Sequence, residues 1–129
     1  MKSKTKIFYS WEEFHKDINL IVKSYNNYGP IIKNIYAVPR GGLIAGTILS
    51  HRLGLPLILD KDKITKYTLV VDDIQDTGKT LNRLLKDKNY FGVTVLWLNG
   101  SKMQKVICNY SRIKDDKEWI VFPWENKTL

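Results

Sequence analysis

The stretch Val70-Val71-Asp72-Asp73-Ile74-Gln75-Asp76-Thr77-Gly78-Lys79-Thr80 constrains the chain most. Leu69 to Val71 is a short apolar run with charge directly after it, the pattern of a buried strand. Asp72 and Asp73 then predict an acidic turn, and Asp76, Thr77 and Gly78 are turn and N-cap residues. Leu81, Leu84 and Leu85 follow at helical spacing, which predicts a helix from Thr77 to Lys88. A loop between the carboxyl end of a parallel strand and a helix is where α/β sheets bind ligands.

The chemistry of this loop is specific. Backbone N–H groups at the helix start, the hydroxyls of Thr77 and Thr80 and the ammonium of Lys79 together suit a phosphate. Asp72 and Asp73 repel anions, so they face hydroxyls or a metal. Phosphate donors and paired carboxylates in one loop point to a ribose phosphate. The triplet Gly78-Lys79-Thr80 is not a P-loop, because the position that needs the first glycine holds Asp73.

Earlier in the chain, Lys6 to Tyr9 predicts a short strand, and Ser10 with Glu13 forms a capping box. Trp11, Phe14, Ile18, Ile21, Val22 and Tyr25 recur at helical spacing on one apolar face. Ile31 to Val38 reads as a strand, and Pro39-Arg40-Gly41-Gly42 leads into a helix from Leu43 to Leu53 that stops at Gly54. The glycines of that loop permit close approach by a ligand, and Arg40 offers a fork of donors to a diphosphate. Leu55 to Leu59 reads as a strand and Asp60 to Lys63 as a charged turn, leading to the strand that opens the central stretch. Gly92 to Leu98 and Val106 to Ile113 predict further strands, with a polar turn at Lys114 to Lys117 and an aromatic piece from Trp119 to Trp124.

The chain of 129 residues carries 21 basic against 13 acidic residues, a net charge of +8 that favours anionic partners such as nucleotides and diphosphates. The lysines are scattered, and no arginine-rich or aromatic-interleaved face marks a nucleic-acid module. No apolar run is long enough for a membrane span, and no long apolar segment follows the basic start to make a secretory signal. Cys108 is alone, which fits a reducing cytoplasm.

Val70 to Thr80 resembles the phosphoribosyl-diphosphate (PRPP) motif of type I phosphoribosyltransferases. Val38-Pro39-Arg40-Gly41-Gly42-Leu43 and Trp119-Ile120-Val121-Phe122-Pro123-Trp124-Glu125 resemble the purine branch of the same family, the xanthine–guanine and hypoxanthine enzymes. The resemblance implies one α/β domain over residues 1–129, a central, mainly parallel twisted sheet flanked by helices, with a small aromatic C-terminal hood. It implies an enzyme of purine salvage that transfers 5-phosphoribosyl from PRPP to a purine, with Mg²⁺ as cofactor and a homodimer as assembly.

Residue by residue, the resemblance puts the ribose on Asp72 and Asp73, the metal on Asp73, and the 5′-phosphate on Thr77, Gly78, Lys79 and Thr80. Arg40 and Gly41 take the diphosphate, often beside a cis peptide, Trp119 and Ile120 take the base, and Asp76 is the acid/base at purine N7. Glu125 matches an acidic residue of that segment. The sequence departs from the family twice. Only Gly54 to Leu69 is available where members insert a flexible lid, leaving at most a hairpin tip. Leu98 stands where the purine branch has a lysine that hydrogen-bonds the 6-oxo group, and Lys102 is a lysine downstream that could reach in. The rival expectation is a non-catalytic protein of this fold that holds a nucleotide or responds to one.

Overall fold

The computed structural model describes residues 3–125. Five strands form one parallel sheet in the order β3-β2-β4-β5-β6: β2 Asn34–Ala37, β3 Leu57–Ile58, β4 Thr68–Gln75, β5 Gly92–Asn99 and β6 Asn109–Lys114. A separate parallel pair joins β1, Thr5–Phe8, to β7, Glu118–Val121, with Thr5 beside Glu118 and Phe8 beside Val121. This pair and the aromatic residues after it make the expected hood.

Helix α1, Trp11–Tyr25, begins at the predicted capping box. The Glu13 amide donates to the Ser10 hydroxyl at 3.0 Å and the Ser10 amide to the Glu13 carboxylate at 3.1 Å. Its inner face buries Phe14, Ile18, Ile21 and Tyr25. Trp11 is 47% exposed and stays outside that core, its ring 5.8 Å from Trp124 of the hood. Asp17, by contrast, is buried: it accepts from the Tyr9 hydroxyl and from Arg112 Nε of β6 at 2.7 Å, and Arg112 reaches Glu13 at 2.9 Å.

Helix α2, Gly42–Leu53, ends on Gly54 at φ 67°, the left-handed conformation that glycine adopts without Cβ strain. It packs with α1 over one face of the sheet, where Ala45 and Leu49 meet Ile35, Leu69 and Val71. Helix α3, Lys79–Leu85, packs Leu81 and Leu85 on the other face against Val70, Val93 and Val95. The two helices lie on opposite faces because the β2–α2–β3 and β4–α3–β5 crossovers run in opposite directions with the same hand.

Three differences from the sequence reading bear on the site, besides shorter or shifted strands at Asn34–Ala37, Leu57–Ile58 and Asn109–Lys114. Strand β4 runs on through the two aspartates to Gln75, since Asp72 pairs with Val95 and Ile74 with Trp97. The acidic turn is therefore the end of a strand. Helix α3 stops at Leu85, well short of Lys88, because Lys86 leaves the helical region and Asp87 is at φ 61°. Finally, β3 and β4 both pair with β2, on its two sides, so residues 59–67 connect them as a short return with one 3₁₀ turn at Lys61–Lys63. There is no hairpin there to serve as a lid.

Candidate active site

The strand order reverses between β2 and β4: the chain leaves β2 toward β3 and returns to β4 on the other side. Crevices at such a switch point, outside the carboxyl ends of the strands, are the binding sites of α/β sheets. Both loops singled out in the sequence begin there.

The loop after β2 turns through a cis peptide between Pro39 and Arg40, as the resemblance implies. It lies so close to β4 that a Cβ on Gly41 would overlap the Asp73 carboxylate, and one on Gly42 would sit 2.7 Å from the Val71 carbonyl oxygen. These two glycines bring the backbone of the loop after β2 against the paired aspartates.

After β4, Gly78 takes φ 81° before the first turn of α3. Asp72 to Gly78, Thr80 and Leu81, with Val38, Pro39 and Gly41, line a depression of about 260 Å³. Lys79 is exposed and is not part of that wall. A residue that the sequence reading missed braces this loop: Gln104 donates to the Asp76 carbonyl at 2.9 Å, and its carbonyl oxygen fills the space beside Gly78.

Two further depressions adjoin the first. Arg40, Gly41, Ile44, Asp73, Trp124 and Glu125 border an open one of about 750 Å³. Asp73, Ile74, Asp76, Lys114, Trp119 and Ile120 border a smaller one of about 140 Å³, closed by Phe122 and Glu125. Asp73 lines all three. Of the hood residues, Trp119 is 52% exposed and Ile120 is buried.

The electrostatics separate the three acids. Burial, reinforced by the neighbouring Asp73 charge, pushes Asp72 up to about 9 from 3.8. Burial also raises Asp73, with Glu125 adding repulsion. The pair therefore holds a proton at neutral pH in the absence of a counter-charge. Asp76 goes the other way: burial would raise it, but hydrogen bonds from Asn99 Nδ2 at 2.8 Å and Lys114 Nζ at 3.2 Å hold it below the ordinary carboxylate range.

Lys114 corrects the reading of its segment. It is the last residue of β6 rather than part of a polar turn, and its side chain is 1% exposed. Lys102 is not in the small depression and pairs instead with Asp116 at 3.5 Å. Leu98 does not line it either. Among the described residues, no group of three or more His, Cys, Asp or Glu forms a ready metal cage, and no helix is long and apolar enough to cross a membrane.

A five-stranded parallel sheet with a glycine turn into a helix after β4, an Arg-Gly-Gly loop after β2 and an aromatic hood matches the type I phosphoribosyltransferase fold. Comparison with known proteins agrees. The chain is 27% identical, over 95% of its length and 89% of the relative's, to a xanthine-guanine phosphoribosyltransferase of Idiomarina loihiensis. Among solved structures it is similar to a purine phosphoribosyltransferase from Pyrococcus horikoshii, with TM-score 0.75 and 27% identity over 96% of each chain. The Helicobacter pylori xanthine-guanine-hypoxanthine phosphoribosyltransferase gives 0.72 and 28% over 93% of each chain. No family model matches. The likeness read from three short motifs thus extends over nearly the whole chain, and it supports an enzyme of the transferase class.

Proposed function

We propose that this protein is a Mg²⁺-dependent purine phosphoribosyltransferase that moves the 5-phosphoribosyl group of PRPP onto a purine base and releases diphosphate. The observation that carries the reading is the convergence of three depressions on Asp73, one for each part of such a reaction. Thr77, Gly78, Lys79 and Thr80 anchor the 5′-phosphate, and Asp72 and Asp73 hold the ribose hydroxyls. Arg40 and the Gly41 backbone face the diphosphate, and Trp119 and Ile120 receive the base.

A magnesium site fits these residues. Mg²⁺ uses one or two carboxylates together with substrate phosphates, and Asp73 with Asp72 beside it supplies that sparse set. Their raised affinity for a proton is what a carboxylate pair awaiting a cation has. When bound, the ion supplies charge neutralisation on the leaving diphosphate.

In the transfer, the C1′–oxygen bond to diphosphate breaks with the electron pair leaving on diphosphate, and the base N9 lone pair forms the new C1′–N bond. The proton on N7 passes to the Asp76 carboxylate, which Asn99 and Lys114 keep ionised to receive it. The test is diphosphate release from protein, Mg²⁺, PRPP and each of several purines. Asp76→Asn is expected to abolish turnover and spare nucleotide binding. Tight nucleotide binding by calorimetry with no turnover on any base would replace this reading with a binding protein of the same fold.

A further inference from the structure

The basic residues are scattered along the sequence, but the fold gathers four of them. On the α3 face of the sheet, between α3 and the return from β3 to β4, lies an open depression of about 440 Å³. Lys61, Arg83, Lys86 and Lys88 line it, and Asp62 is the one carboxylate on its wall. None of the ion pairs among the described residues includes any of the four cations. Like charges gathered round one hollow repel one another, and a bound polyanion relieves that repulsion.

Local structure brings these side chains together from two separate segments. Lys61 and Asp62 belong to the 3₁₀ turn of the return, where the Asp62 amide donates to the Asp60 carboxylate at 2.9 Å. Arg83 lies on α3, and Lys86 and Lys88 flank Asp87, whose φ of 61° is one that L side chains rarely adopt. The chain turns there, and the lysines on both sides of the turn line the same hollow. Tyr36, 4% exposed, and Val38 complete its floor. Burial raises the Tyr36 hydroxyl above its ordinary value, with Asp60 adding repulsion, so it stays a neutral donor among the cations.

From this geometry we infer that the depression is a second anion site and that its ligand is a linear chain of linked phosphates. Val38, Pro39 and Thr80 line both this hollow and the one beside the paired aspartates, so the two are continuous. It shares no residue with the depression bordered by Arg40 and Trp124, and so is distinct from the place proposed for the leaving diphosphate. Cations on two separate segments suit an anion whose charge is spread over several linked groups, which a single phosphate or carboxylate does not offer. They bound one hollow and not a stripe, which favours a small molecule over a nucleic-acid strand. Two sources carry this chemistry: the 5′-polyphosphate of a nucleotide whose first phosphate sits in the loop after β4, and a free inorganic oligophosphate.

The test is calorimetry without divalent metal on wild type and on Lys86→Gln/Lys88→Gln. The titrants are inorganic tripolyphosphate, ribose 5-phosphate, and the 5′-mono- and 5′-triphosphates of guanosine. Lys16→Gln/Lys23→Gln removes the same charge from α1 and serves as the control. Tripolyphosphate should bind K86Q/K88Q at least about tenfold more weakly than wild type, as the loss of charge-assisted hydrogen bonds requires. It should bind K16Q/K23Q within about twofold of wild type, and ribose 5-phosphate should bind all three proteins within the same margin. The substituted lysines lie outside the core, so an unchanged or higher melting temperature is expected of each variant. A triphosphate that outbinds its monophosphate in wild type, and loses that advantage in K86Q/K88Q, assigns the chain to a nucleotide. Equal affinity for the two nucleotides, with tripolyphosphate bound as expected, assigns it to a free oligophosphate. The inference is overturned by a wild type that does not bind tripolyphosphate, or by a K86Q/K88Q protein that binds it undiminished. An equal loss in the α1 control overturns it as well, since net charge alone then explains the binding. A protein that binds ribose 5-phosphate yet ignores tripolyphosphate loses this site and keeps the reading of the loop after β4. The reverse result removes that reading and leaves this site.

Discussion

Replacing Asp72 with asparagine should make the protein more stable and less able to hold its substrate. Asp72 is 7% exposed beside a second carboxylate, and none of the ion pairs among the described residues includes it. With its carboxyl at about 9 in the folded chain and 3.8 unfolded, folding at neutral pH takes up a proton that the unfolded chain has released. From 3.8 to pH 7 is about three pH units, and at about 1.4 kcal/mol each the ceiling on the cost is about 4 kcal/mol. Relaxation and water entry lower this to about 1–3 kcal/mol, a rise of about 5–10 °C in melting temperature for the uncharged variant. The sign also fixes a pH dependence. Between 3.8 and about 9 the folded state binds the extra proton, so this contribution is fully present below 3.8 and is lost as pH rises through 9. The wild type should therefore lose stability relative to Asp72→Asn by up to about 1.4 kcal/mol per pH unit across that window. Urea unfolding of both proteins without divalent metal, at several pH values between about 5 and 8.5, measures it. Parallel pH profiles of equal height would refute the reasoning, as would an Asn variant that binds PRPP as well as wild type.

Gly41→Ala should leave the fold intact and displace the Asp73 carboxylate that the new Cβ overlaps, weakening Mg²⁺-diphosphate binding at least about tenfold by calorimetry while the melting temperature moves little. Arg112→Met leaves the buried Asp17 with the Tyr9 hydroxyl but no counter-charge and removes the Arg112 ties from β6 to α1, and should cost about 2–4 kcal/mol in urea unfolding. Ser10→Ala removes one half of the capping box at the start of α1 and should cost about 1 kcal/mol in the same assay, with no change in nucleotide affinity.

The strand–turn–helix unit from Val70 to Thr80 is legible in the sequence because everything it needs is local: an apolar run, two aspartates, a glycine at positive φ and a helix start fall within a dozen positions. The aspartates were misread as a turn because charge ordinarily ends a strand. Here β5 continues to pair with them, a condition set by a neighbour and not by their own segment. Lys114 escaped for a related reason. The string Asn109 to Lys114 has the polar composition of a surface edge, and nothing local shows that Asn99 and Asp76 lie across from its last residue. One signal was there to read. Arg112 and Lys114 alternate along a single strand, and cations repeating at that period call for anions on the facing elements, which Glu13, Asp17 and Asp76 provide. The short return from β3 to β4 was foreseen from chain length alone, while its failure to form a hairpin depended on which side of β2 each strand chose.

The parallel pairing of β1 with β7 sets an order of assembly during synthesis. Strands β2 to β5, with the loops after β2 and β4, bring together the crevice at the switch point from the middle of the chain. The wall bearing Trp119 and Ile120 has to wait for Thr5–Phe8 to find Glu118–Val121. A nascent chain emerging N-terminal end first can thus assemble the crevice between these two loops before the hood wall that borders it exists. The hood is the last wall the ribosome delivers.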